Sequence, residues 1–267
     1  MKILIFGANG MIGSFLTFYL KEHEIIPVTR KEYDINNMTI DSLYDFILGK
    51  EIDLIINCAG VVPSFKQRDL NSRLYFTVNS IFPIVLGTIC KLYNIRMIHI
   101  TTSHIFSGKR GNYTEKDIPD EIDDYGVSRS LGDLSNVTII RTSVIGEEIN
   151  NKRCLLEWII SNKGGEIDGY TNHFWNGITN LQLGKIIKQM IEENIFWRGV
   201  RHIFSPRKIS KFELISLINN FYNLNINVKE KEGSMVDKTI KTVYDKIFDI
   251  PEIEYQLEEL LSFRKSL

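Results

Sequence analysis

Hydrophobic residues enter this chain in short unbroken runs, and the spacing between the runs predicts its architecture. Lys2-Ile3-Leu4-Ile5-Phe6 is apolar at consecutive positions, the pattern of a strand buried on both faces. Segments 24–29, 53–58, 96–100 and 137–141 repeat that pattern. Between them apolar residues recur at helical spacing: Phe15, Leu16, Phe18, Tyr19 and Leu20, then segments 39–48, 70–93 and 125–134. Asp41 is expected to cap the second of these helices or to sit in its first turn. Pro83 predicts an interruption or a new start inside the third. Strands alternating with helices at this pitch predict an α/β fold, a Rossmann-type doubly wound parallel sheet with right-handed crossovers. After Gly146 the pattern loosens to helices at 155–161, 181–194, 211–222 and 252–263 and one short strand at 200–204. No linker rich in Pro, Gly or Ser separates the two stretches. The expectation is a first domain, 1–146, and a smaller C-terminal α/β part, 147–267, packed on it.

Composition narrows the classes without choosing among them. A chain of 267 residues, 43% hydrophobic and 24% charged, is an ordinary globular protein able to bury a core without metal or disulfide staples. The formal net charge of −1 argues against global adhesion to nucleic acid or anionic lipid. Cys58, Cys90 and Cys154 are far apart and form no zinc spacing, so no metal is expected. No uninterrupted apolar stretch reaches the ~18–20 residues of a membrane span, and the start reads as that of a mature cytoplasmic protein.

The first chemical signal is Gly7-Ala8-Asn9-Gly10-Met11-Ile12-Gly13, a glycine loop that follows the first strand and opens a helix. One glycine makes the tight turn, one admits a pyrophosphate, and one lets the helix approach the strand. The helix N-terminus offers unpaired N–H groups and the positive dipole end to phosphates. The bland alternative is a turn that merely packs tightly. At the end of the second strand no acid precedes Glu32, whereas Arg30 and Lys31 are basic. Arg30 favours NADPH, through the 2′-phosphate, over NADH, unless both cations are simply solvated. Asp34-Ile35 would meet the adenine edge, or Asp34 would serve a turn.

Three further segments end strands at the ligand edge: Asn57-Cys58-Ala59-Gly60, Thr101-Thr102-Ser103-His104 and Tyr125-Gly126-Val127-Ser128-Arg129. With the glycine loop, Val78-Asn79, His99 to Gly108 and Ile140-Arg141-Thr142-Ser143, they make the chain resemble an extended short-chain dehydrogenase/reductase. It most resembles dTDP-4-dehydrorhamnose reductase and related nucleotide-sugar reductases. The likeness spans about residues 1–146 and is vaguer beyond. It implies a nucleotide-linked sugar as substrate, no nucleic-acid or membrane partner, and a homodimer as one assembly. It also implies that Thr102 binds the substrate carbonyl, that Tyr125 donates the proton, and that the third residue of a Tyr-x-x-x-Lys motif holds the nicotinamide ribose. A phenol with pKa near ~10 needs such a cation beside it to work near neutrality. Cys58, Ala59, Gly60, Asn79 and Thr101 fall where the family lines its cofactor, and Ser103, His104 and Trp175 where it meets substrate.

The chain departs from the family in three places. Arg129 stands where the lysine is expected; a guanidinium keeps the charge and bonds ribose hydroxyls but joins no proton relay. Either it supports retuned reduction, or turnover is lost and nucleotide binding kept. His104 stands where dehydrorhamnose reductases usually have tyrosine, and Ser103 where they have aspartate. His104 would be a second acid–base group, or else a substrate hydrogen-bond donor or a packed ring. Trp175 would stack on a base or sugar, or fill the core. The reading that follows is NADPH-dependent reduction of a keto group on a nucleotide-linked deoxysugar in surface polysaccharide biosynthesis. The alternatives are an epimerase or dehydratase retaining NAD, and a nucleotide-binding regulatory subunit without turnover.

Overall fold

The computed structural model describes residues 1–63, 71–148, 150 and 152–265. Five strands follow one another along the first half: β1 (Lys2–Phe6), β2 (Glu24–Val28), β3 (Leu54–Asn57), β4 (Arg96–Thr102) and β5 (Thr138–Thr142). A sixth, Gly199–His202, pairs with β5 from well beyond residue 146. All six run parallel, in the order β2, β1, β3, β4, β5, Gly199–His202. The sheet is doubly wound and Rossmann-like. Its order turns back between β1 and β3, which opens a crevice at their carboxyl ends.

The unbroken apolar runs exist because both faces are covered. Ile3, Ile5, Leu54, Ile56, Ile98, Ile100 and Ile140 point into one core, against Leu16 of helix α1 (Met11–Tyr19) and Ile186 and Ile187 of the Asn180–Glu192 helix. Leu4, Phe6, Ile55 and Met97 alternate with them and point into a second core, against Leu43 and Ile47 of the Ile40–Leu48 helix and Phe82, Leu86 and Ile89. Thr39 caps the Ile40–Leu48 helix, and Asp41 occupies its first turn.

The interruption expected near Pro83 is present, and a new α-helix starts at Phe82 with the proline in its first turn. The run from Ser72 to Leu92 stays helical but contains a widened π turn, Thr77–Ile81, just before the proline. Proline has no N–H for the carbonyl four residues back, that of Asn79, and the wider turn absorbs the missing bond. Gly132 packs onto that carbonyl; a Cβ there would stand 2.1 Å from it. This run is apolar and long enough to cross a bilayer, and 56% of its most apolar window is buried inside the fold. The helix start expected at residue 70 lies outside the described residues.

The C-terminal half carries strands that the hydrophobic pattern did not signal. Glu166–Tyr170 pairs with Asn227–Lys231, and His173–Trp175 is flanked by Ile209–Ser210 and Val236–Asp237. These ribbons are short and polar. Lys229–Glu166 (2.5 Å) and Lys231–Asp168 (2.6 Å) ion pairs cross the first.

A buried polar chain ties the sixth strand to the rest. Arg141 donates to Asp133 at 2.6 Å and to His202 Nε2 at 2.9 Å, and His202 Nδ1 donates to the Lys241 carbonyl at 2.7 Å. These partners fix a neutral imidazole. Burial, with the Arg141 cation, pushes His202 down to about 4, and burial, with Arg129, pushes His99 down to about 3. The unfolded chain protonates both near ~6.5. Their contribution to stability is therefore full above that pH and is lost as the pH falls through 6.5 toward 4, by up to about 2 kcal/mol per imidazole at pH 5. Urea unfolding at pH 7 and pH 5 should show this fall; equal stability at the two pH values would contradict it.

Candidate active site

The loop after β1 needs its glycines for different reasons. Gly7 has φ +76°, and a Cβ there would lie 2.7 Å from the Ala59 amide nitrogen. At Gly13 a Cβ would lie 2.2 Å from the Gly7 carbonyl, so the helix could not sit against the turn. Gly10 is the N-cap of α1; no side chain caps this helix and no acid lies in its first turn. The first-turn N–H groups of Met11, Ile12 and Gly13 thus face the crevice with a positive dipole end and no competing carboxylate. Asn9 lies on the exposed tip of the loop.

At the end of β2, Arg30 and Lys31 are exposed. Glu32 turns back on Thr29, accepting from its N–H at 2.8 Å and its hydroxyl at 2.5 Å, and these bonds hold its carboxyl below the usual range. Arg30 makes no ion pair with a described residue. Asp34 takes the turn role: it accepts from the Asn36 N–H at 3.1 Å and the Asn37 amide at 3.0 Å. Ile35 packs on Val61, Tyr75 and Val78, an apolar wall beside the crevice.

The loop after β3 is braced from below. Asn57 holds the Ala59 N–H at 3.0 Å, and Asn79 binds the Val61 N–H at 2.8 Å and its carbonyl at 3.0 Å while also donating to Ser128. Asn79 is fully buried, so its amide shapes the wall of the crevice instead of facing a cofactor as expected. Burial pushes the Cys58 thiol up, out of nucleophilic range.

Three expected catalytic positions meet at the end of β4. The Thr102 hydroxyl accepts from the His104 N–H at 3.1 Å. The His104 ring lies 5.3 Å from that of Tyr125, whose other neighbour is Tyr75 at 6.2 Å. The Tyr125 hydroxyl makes no hydrogen bond among the described residues. One helical turn on, Arg129 is buried: Nη2 donates to the Ile100 carbonyl at 2.5 Å, and Nη1 lies against Gly60, where a Cβ would come within 2.9 Å of it. Gly7, Ala59, Gly60, Arg129, Tyr125, His104 and Thr102 therefore form one continuous line along the carboxyl edge of the sheet.

Other expected positions lie beneath this line. Thr101, within a strand buried on both faces, and Ser103, in the short helical turn that follows it, are both buried. Trp175, expected against substrate, is 7% exposed within the core; its indole N–H donates to Ser143 at 2.6 Å.

Sequence reasoning missed three residues. Asp123 caps the helix that carries Tyr125, accepting from the Gly126 N–H at 2.6 Å, and its other oxygen is 3.3 Å from His104 Nε2. Glu121 pairs with Lys238 at 2.7 Å, and Lys238 Nζ is 3.4 Å from either ring nitrogen of His104. His104, Glu121 and Asp123 present donors within 4.8 Å of one another, and the Lys238 ammonium already stands beside two of them, 2.7 Å from Glu121 and 3.4 Å from His104. Glu121 and Asp123 stand beside Tyr125 in the sequence, a signal that was available; Lys238, far along the chain, gave none.

The RmlD substrate binding domain model matches residues 1–230. The dTDP-4-dehydrorhamnose reductase of Aggregatibacter actinomycetemcomitans is 29% identical over 148 residues, 54% of this chain and 49% of that protein. The chain spans about half the length of the curated reductases it matches. Methionine adenosyltransferase 2 subunit beta of Rattus norvegicus is 22% identical over 255 residues, 84% of this chain and 72% of that protein. A crystal structure of dTDP-4-dehydrorhamnose reductase from Bacillus anthracis in complex with NADP superposes with a TM-score of 0.84 at 23% identity, covering 100% of this chain and 99% of that one. That likeness shows a common fold, and the family match shows descent: the chain belongs to the RmlD substrate binding domain family.

Proposed function

We propose that this protein is an NADPH-dependent reductase of the short-chain dehydrogenase/reductase type, acting on a keto group of a nucleotide-linked sugar. The observation that carries the reading is the continuous edge from the glycine turn to Thr102, with Tyr125 and Arg129 on the same face of one helix. The residues fit the cofactor: Gly7 and Gly13 leave no room for side chains, α1 is uncapped, and the acid after β2 is committed to Thr29 while Arg30 is exposed for a 2′-phosphate. The cofactor would supply a hydride to the carbonyl carbon. Thr102, its lone pairs engaged by the His104 N–H, would turn its own proton toward the carbonyl oxygen. Tyr125 would then deliver a proton to that oxygen. Arg129, anchored on Ile100 behind the helix, would hold positive charge beneath the developing phenolate. Within residues 147–267, the segments outside the Asn180–Glu192 helix and the Gly199–His202 strand, which belong to the sheet layer, would grip the sugar nucleotide. On this reading the chain would act in the cytoplasm, in surface polysaccharide biosynthesis, with a homodimer as its expected assembly.

A second reading is a nucleotide-binding subunit without turnover. Two observations favour it: the guanidinium in the lysine position is tied to a strand carbonyl, and the matched subunit beta aligns over most of its length. NADPH oxidation with a panel of nucleotide-linked keto-sugars separates the two. The reductase reading expects consumption by the wild type. No consumption at normal NADPH affinity, with activity gained in Arg129→Lys, would favour the subunit.

A further inference from the structure

The side chains of His104, Glu121, Asp123 and Lys238 form a charged cluster against the Tyr125 ring, and the four come from three parts of the chain. Lys238 is held through the residue before it: the Asp237 N–H donates to the Gly108 carbonyl at 2.7 Å, and the Lys238 side chain packs over Gly108. Glu121 is held by its N–H to the Ile105 carbonyl at 3.0 Å. Gly126 lets the Glu121 side chain cross the helix; a Cβ there would stand 2.4 Å from Glu121 Cγ. The Lys238–Glu121 pair is sheltered, with side chains 19% and 14% exposed. It closes the C-terminal part onto the helix of Tyr125.

We propose that Lys238 is a positioning residue of the reaction site: with Glu121 and Asp123 it holds His104 as a neutral imidazole of fixed tautomer beside Tyr125, so that His104 meets the sugar as an uncharged hydrogen-bonding group. The ammonium stands 3.4 Å from both ring nitrogens and has protons only to give, so Asp123, an acceptor beside Nε2 alone, decides the tautomer and leaves Nδ1 as the ring's acceptor. Nε2 then carries the ring proton and directs it at Asp123, 3.3 Å away. An imidazolium would set a second cation against the ammonium at the same distance. Burial and the Lys238 charge both act to lower the pKa of His104, against the opposing pull of Asp123 and Glu121. Tyr125 faces the ring from its own helix. This proposal rests on the assignment of Thr102 and Tyr125 to the reaction, but its test does not require turnover.

The test is an NMR titration of the His104 ring in the wild type, Lys238→Met and Lys238→Arg, with His104→Gln assigning the signal. The wild-type midpoint is expected below ~6.5. In Lys238→Met it should rise by about one unit or more, because two carboxylates remain without the cation; Lys238→Arg should stay near the wild type. A wild-type midpoint at or above 6.5 overturns the proposal even if Lys238→Met fails to fold. An unchanged midpoint in a folded Lys238→Met overturns it as well. Where reduction is observed, the acid limb of its pH profile should follow the same shift. Absence of reduction with the expected titrations would count against the reductase assignment and leave the positioning of His104 standing.

Discussion

Tyr125→Phe is expected to lower turnover by about 10²–10⁴-fold while leaving the protein folded and its NADPH affinity nearly unchanged. The reason lies in what the phenol touches. Its ring is held by Tyr75 and His104, and phenylalanine keeps both contacts. Its hydroxyl has no hydrogen-bond partner among the described residues, so its removal leaves none of their buried groups unsatisfied. The glycine turn and α1, which would carry the pyrophosphate, lie elsewhere on the crevice. Steady-state rates and fluorescence titration with NADPH check the two halves separately. Unchanged turnover would remove Tyr125 from the proton transfer, and a large loss of NADPH affinity would move it to binding.

The second large effect falls on stability. Asp133→Ala is expected to destabilise the fold by about 3–5 kcal/mol, because Arg141, 6% exposed, would be left charged without its carboxylate. For a chain of this size that corresponds to a fall in Tm of about 10 °C. Burial raises the Asp133 carboxyl, and the guanidiniums of Arg141 and Arg129 oppose that rise. Asp133 thus balances two cations, one of which sits behind Tyr125. Removing both members of the pair, as Asp133→Leu with Arg141→Met, should cost less than Asp133→Ala alone, since no unpaired charge remains. Thermal unfolding of the single and double variants decides this. A double variant less stable than Asp133→Ala would show that the link from Arg141 to His202 matters more than the buried charge.

The two predictions draw on features of different legibility in the sequence. Leu54-Ile55-Ile56 reads as a doubly covered strand because both faces are buried, and the same reasoning found β1, β4 and β5. The ribbons at Glu166–Tyr170 and Asn227–Lys231 escaped because one face of each meets water, so their polar residues resemble loop. Pro83 marked the place where the α-helix is interrupted by a π turn and starts again at Phe82, although a proline alone does not say which kind of turn fills the gap. In the site, Thr102 and the glycine turn were read from the end of a strand and the start of a helix, and Tyr125 and Arg129 from the resemblance to a Tyr-x-x-x-Lys motif; their segment, expected both in a helix and at a strand end, is the helix Asp124–Gly132. Asn79 and Trp175 were assigned to ligands, whereas packing claims both: one braces the Val61 loop, the other fills the core under Ser143. The same limit hid the Asp133–Arg141–His202 chain, whose members meet only once β5 and Gly199–His202 pair.

Because the whole functional reading depends on a shared location, a crystal structure of the protein with bound NADPH tests it most directly. The account expects the pyrophosphate on the N–H groups at the start of α1, the 2′-phosphate at Arg30, and the nicotinamide ring near Gly60. Its reactive carbon should then face a space about 3–3.5 Å deep into which the Thr102 and Tyr125 hydroxyls both point. A nicotinamide ring lodged away from Gly60, or hydroxyls of Thr102 and Tyr125 that open onto opposite sides of it, would contradict the account.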